Sequence, residues 1–86
     1  MSENNIPPKM AKAFRIAIEL NQSEPRLDNI LLNALREQSE NPTLKVISRG
    51  ALKNLFVEKK IFIKGQRAKP SSSLAKGITY VDIVGY

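Results

Sequence analysis

The chain contains neither cysteine nor histidine. Without cysteine there is no disulfide framework and no thiol nucleophile, a usage that suits a reducing compartment. Without histidine as well, the usual zinc ligands and the commonest general base are missing together. No apolar run approaches the length needed to span a bilayer. The opening residues, MSENNIPPKM, lack the apolar core of a signal peptide, so the expected location is cytoplasmic. Glu24, Asp28, Glu37, Glu58 and Asp82 form no catalytic motif, Ser71, Ser72 and Ser73 carry no recognisable Ser-Lys motif, and no Gly-rich phosphate loop is present. An enzyme, a cofactor and a bound metal are therefore not expected. Aromatic residues are few (Phe14, Phe56, Phe62, Tyr80, Tyr86), which argues against extensive base stacking of the single-strand-binding kind.

What the chain does have is basic charge, concentrated in one place. Residues 45–76 hold nine basic residues (Lys45, Arg49, Lys53, Lys59, Lys60, Lys64, Arg67, Lys69, Lys76) against a single acid, Glu58. The remainder holds five basic and seven acidic residues, so the whole net charge of +6 originates in that segment. Such a concentration marks a surface for a polyanion. With 86 residues there is room for one domain, which buries roughly 60% of its unfolded surface.

Read in order, residues 1–8 form a polar, Pro-containing tail expected to be disordered, and residues 9–86 form the domain. Met10, Phe14, Ala17 and Ile18 recur at helical spacing, which predicts a first helix over 9–21. Ser23 and Pro25 suit the start of a second helix running to about Gln38. Its stripe of Leu27, Ile30, Leu31, Ala34 and Leu35 faces the core, and Asp28 in the first turn complements the helix dipole or pairs with Arg26. Residues 39–43 make a turn, with Asn41-Pro42 pushing the backbone out of helix, and Leu44, Val46 and Ile47 follow as a short extended approach.

Ser48 is placed to cap a third helix over 49–59, with Ile47 stapling onto Leu52 and with Ala51, Leu52, Leu55 and Phe56 buried. Arg49 and Lys53 stand one turn apart on another face. Gly50 permits close approach to that helix start, where a phosphate could sit. The period then changes: residues 61–64 and 67–69 read as a hairpin turning at Gly65, and residues 78–84 as a last strand after Gly77. The expected fold class is α+β, helices followed by a small antiparallel sheet whose edge is guarded by like charge.

These segments carry a resemblance. Arg26-Leu27-Asp28 opening a helix, Ser48-Arg49 opening the next with Lys53 following, Ile61-Phe62-Ile63-Lys64-Gly65, Lys69-Pro70-Ser71, and Gly77 before the final strand resemble the S4 RNA-binding domain family. That family's pattern has an RLD helix start, an SR helix start, a V-x-V-N-G turn, a K-P-S segment and a G-D-x-I start to a strand. The resemblance covers residues 26–83 and leaves the first helix as an N-terminal addition to an αL-type motif. Lys64 stands where the family has Asn, Ile78 where it has Asp, and Lys59-Lys60 where a Gly usually precedes the strand. The loop from 39 to 47 is also longer than typical.

The resemblance implies a stand-alone, non-catalytic module that docks on structured RNA, such as ribosomal RNA or tRNA. Arg49, Lys53, Lys64, Gly65 and Lys69 would lie on the RNA face, while Arg26, Asp28 and Ser48 would hold the helix starts. Arg67 joins the RNA face on charge and position. A basic face of this kind recognises phosphates and 2′-hydroxyls in a defined geometry. Two other classes fit the pattern: a winged-helix DNA-binding protein with residues 64–76 as the wing, and a basic module for an acidic protein partner.

Overall fold

The computed structural model describes residues 12–86. The first element is a strand, β1 (Ala13–Leu20), followed by α1 (Leu27–Glu37), a single helical turn α2 (Pro42–Lys45) and α3 (Arg49–Val57). Three strands complete the chain: β2 (Ile61–Ile63), β3 (Gln66–Arg67) and β4 (Gly77–Val84). They form one four-stranded antiparallel sheet in the order β1-β4-β2-β3, so the architecture is α+β.

The helix expected over 9–21 is corrected to a strand at residues 13–20; its remaining positions 9–11, and the tail 1–8, lie outside the described residues. The reason is visible in the residues themselves. Phe14, Ile16, Ile18 and Leu20 alternate with Arg15, Ala17 and Glu19, the period of a strand. Pairing with β4 over the full length, from Ala13 opposite Val84 to Leu20 opposite Gly77, decides the matter. The order is thus strand, helices, strands, with the first and last elements side by side.

On one face of the sheet, Ile16, Ile18, Ile61, Val81 and Ile83 share a core with Leu27, Leu31, Leu32 and Leu35 of α1, Leu44 of α2 and Leu52, Leu55 and Phe56 of α3. Ile30 and Ala34 are only partly buried, and Ala51 is exposed. The other face carries a row set by the register, in which Arg15, Asp82, Phe62 and Arg67 lie side by side across the four strands. Asp82 is 2% exposed and takes a bidentate ion pair from Arg15, at 2.8 and 3.0 Å. The Arg15 guanidinium also lies 5.5 Å from the centre of the Tyr80 ring, a cation–π distance.

Two helix starts differ from expectation. Ser23 and Pro25 are outside α1, and the residue before that helix, Arg26, makes no side-chain cap. Instead the loop after β3 caps it: Leu27 N–H donates to the Ser72 carbonyl and Asp28 N–H to that of Pro70. Further out, Glu24 and Leu74 exchange two backbone hydrogen bonds, which pins the same loop along the approach to α1. At α2, Asn41-Pro42 starts a helical turn in place of the extended segment expected there. The Asn41 side chain accepts from Leu44 N–H, and Pro42 fills the first helical position, where its missing N–H is not needed.

Ser48 caps α3, its hydroxyl accepting from Ala51 N–H at 3.0 Å. Past its C-cap Glu58 that helix is closed by Lys59, which has φ of 63° while its N–H donates to the Phe56 carbonyl and that of Lys60 to the Leu55 carbonyl. This is a Schellman ending with lysine in the left-handed position that glycine usually takes. The hairpin turns on Lys64 and Gly65, both with positive φ (53° and 76°), as a two-residue type I′ turn requires.

Candidate nucleic-acid interface

The starts of α1 and α3 come together around one cleft of about 260 Å³. Arg26 and Asp28 reach it from α1, Arg49 and Lys53 from α3, and Pro70 from the capping loop, over a floor that includes Leu52 and Phe56. Arg49 and Lys53 are four residues apart on one helix and therefore share a face. The cleft wall is internally braced. Arg26 makes a bidentate pair with Asp28 at 3.0 and 3.2 Å, and the Asp28 carboxylate also accepts from Asn29 N–H at 2.8 Å. Arg49 Nη1 donates to the Asn29 amide oxygen at 2.6 Å, tying α3 to α1.

The electrostatics follow from that bracing. The hydrogen bond from Arg26 holds the Asp28 carboxyl below the usual carboxylate range, with the Asn29 N–H and the nearby Arg49 charge acting in the same direction against a desolvation cost. Arg26 is correspondingly raised by Asp28. One carboxylate among three cations leaves a positive cleft, and its anchored acid fixes where the guanidinium groups sit.

Lys64, Gly65 and Arg67 are elsewhere. They sit on the exposed β2–β3 hairpin at the far edge of the sheet, where Lys64 and Arg67 border a separate groove of about 280 Å³ together with Ser72 and Ser73. Lys69 is exposed at the start of the loop that joins the two regions; its N–H donates to the Ser72 hydroxyl. The structure thus brings Arg26, Asp28, Arg49 and Lys53 into one cleft, places Lys64, Gly65 and Arg67 on a second feature, and puts Lys69 between them. Ser48 acts as the cap of α3. A Cβ at Gly50 would meet nothing within 4 Å, so no protein neighbour requires glycine there.

Two further basic residues of the 45–76 segment are engaged within the chain. Lys45 donates to the carbonyls of Arg36 and Gln38 at the end of α1, and Lys60 pairs with Glu58 at 3.2 Å. Sequence reasoning missed Asn29, whose role depends on α3 arriving beside it, and missed the caps given by the Pro70 and Ser72 carbonyls, which no side-chain pattern announces. Among the described residues, no group of three or more metal-ligating side chains gathers, and no helix is long and apolar enough to cross a membrane. Comparison of the chain with protein-family models, with curated proteins and with solved structures found no match.

Proposed function

We propose that this protein is a non-catalytic RNA-binding module of the S4 type, acting in the cytoplasm, that docks on structured RNA such as ribosomal RNA or tRNA. The observation that carries the reading is the convergence of the Arg26–Asp28 and Ser48–Arg49 helix starts with Pro70 around one positive cleft. These three segments are far apart in sequence and are three of the five on which the family resemblance rests. Arg49 and Lys53 grip one stretch of phosphate backbone, and the hairpin residues Lys64, Gly65 and Arg67, with Lys69 beside them, reach a second stretch. The rigid spacing between the two features selects RNA by shape, since the A-form major groove hides its base edges from side chains. The Arg26–Asp28 pair positions the cleft wall and leaves phosphate contact to α3.

The test is a titration against a structured RNA and a duplex DNA of equal length, each at several salt concentrations. Tighter binding to RNA that persists near physiological salt is expected. Equal or DNA-favoured binding would replace this reading with a winged-helix one. Binding to neither nucleic acid would leave an acidic protein as the partner.

A further inference from the structure

The two walls of the cleft between α1 and α3 differ in what they can hold. On the α1 side the backbone donors of the first turn are already engaged: Leu27 N–H donates to the Ser72 carbonyl, Asp28 N–H to the Pro70 carbonyl and Asn29 N–H to the Asp28 carboxylate. That carboxylate also lines the cleft. A phosphate set against this wall would meet a negative charge and gain no backbone donor from that turn. On the α3 side stand Arg49 and Lys53, and the first turn of that helix has no acidic residue. Phosphate therefore belongs at the α3 rim, and the interior suits a different group.

That group is flat and largely apolar. The floor includes Leu52 and Phe56, and half-buried Pro70 lines the cleft beside them. Arg26 lines it too, with its guanidinium held in a set plane by two hydrogen bonds to Asp28 at 3.0 and 3.2 Å. A guanidinium fixed in this way presents a face on which a nucleobase stacks. The cleft, at about 260 Å³, falls just below the roughly 300–1,000 Å³ of ordinary small-molecule pockets, which is room for one nucleotide and not for a run of them.

We propose that the cleft takes one unpaired nucleotide of a structured RNA, such as a bulge. Its base stacks on the Arg26 guanidinium over the surface of Leu52, Phe56 and Pro70, and its phosphate lies on Arg49 and Lys53. Asn29 positions the phosphate end, since its amide oxygen accepts from Arg49 at 2.6 Å. An unpaired nucleotide enters at low cost because it gives up no base pair. This inference rests on the RNA-binding reading and adds to it the feature of the RNA that the cleft selects.

The test compares three RNA hairpins with the same stem: one uninterrupted, one with a single bulged adenosine, and one with an abasic residue at the bulge. The abasic hairpin keeps the phosphate and the kink and lacks only the base. The bulged hairpin is expected to bind about tenfold more tightly than either of the others. Arg26→Lys keeps the charge and can still pair with Asp28, but it removes the planar face. In that variant the difference between the bulged and abasic hairpins is expected to vanish. Equal affinity of the parent chain for the bulged and abasic hairpins overturns the inference, and leaves the RNA-binding reading standing if that shared binding depends steeply on salt. An Arg26→Lys variant that keeps the full preference overturns it equally. Failure to bind any of the three hairpins overturns both readings.

Discussion

At one edge of the sheet β3 offers two residues, including Arg67, with Lys64 and Lys69 close by; at the other β1 offers eight residues whose two charges, Arg15 and Glu19, balance. The short edge is kept from other sheets by length and like charge, and the same charge attracts a polyanion. Among the described residues the long edge has neither that brevity nor that excess of one charge. One of its charges is held by Asp82, and the rest of the strand is apolar or neutral apart from Glu19. A single composition therefore yields two surfaces of opposite disposition, because nearly all the excess charge lies after α2 in the chain and β1 lies before it. Overall net charge alone would have assigned both edges the same fate.

The contrast between the two edges depends most on Asp82, which joins the β1 side of the sheet to its centre. Asp82→Ala removes the bidentate acceptor of a largely buried guanidinium and is expected to cost about 3 kcal/mol, read from denaturant midpoints. Amide exchange should accelerate first along residues 13–20, and equal acceleration in the hairpin would count against the distinction between the edges. On the basic side, Arg49→Ala with Lys53→Ala removes two cations from the cleft. RNA affinity is expected to fall about tenfold or more, roughly 1.4 kcal/mol, with the domain still folded. A folded double variant with undiminished affinity would remove α3 from the interface.

A smaller effect tests local strain between the two regions. Lys59→Gly relieves the left-handed backbone at the end of α3 and is expected to stabilise the fold by about 1 kcal/mol, so a loss of stability would mean that the lysine side chain has a role of its own. The smallest concerns acid. Because Asp28 is held below its ordinary value, its ion pair stabilises the fold above the unfolded carboxylate pKa of about 3.9, and that contribution is lost as pH falls through the lower folded value. Asp28→Asn should flatten this part of the acid limb, and an unaltered pH profile would show that the pair does not contribute.

Much of the fold could be read from local chemistry. The α1 stripe of Leu27, Leu31 and Leu35, the Ser48 cap and the hairpin at Gly65 all depend on residues within a few positions of one another. β1 was ambiguous at that level, because its alternation of Phe14, Ile16, Ile18 and Leu20 fits a strand while other features fit a helix. Its alanines, Glu19 and Leu20 are good helix formers, and Phe14, Ala17 and Ile18 fit a helical period if Ile16 is passed over. What makes it a strand is β4, and its ion pair to Asp82 spans 67 positions. At α2 the signal has two meanings, since Asn41-Pro42 can end one helix or begin another. Of the cleft, Arg49 and Lys53 were legible as a pair because helical spacing joins them. Their meeting with Arg26, Asp28 and Pro70 was not, because it depends on how the two helices and the capping loop pack.

The most direct test of the account is the salt dependence of binding to a structured RNA, measured for the parent chain and for the Arg49→Ala, Lys53→Ala variant. If about four to six phosphates are contacted, the log–log slope of the parent is steep, close to one unit per contact, and the variant loses about two units. Equal slopes in a folded variant, or a parent that binds RNA with little dependence on salt, would contradict a phosphate-gripping role for the cleft.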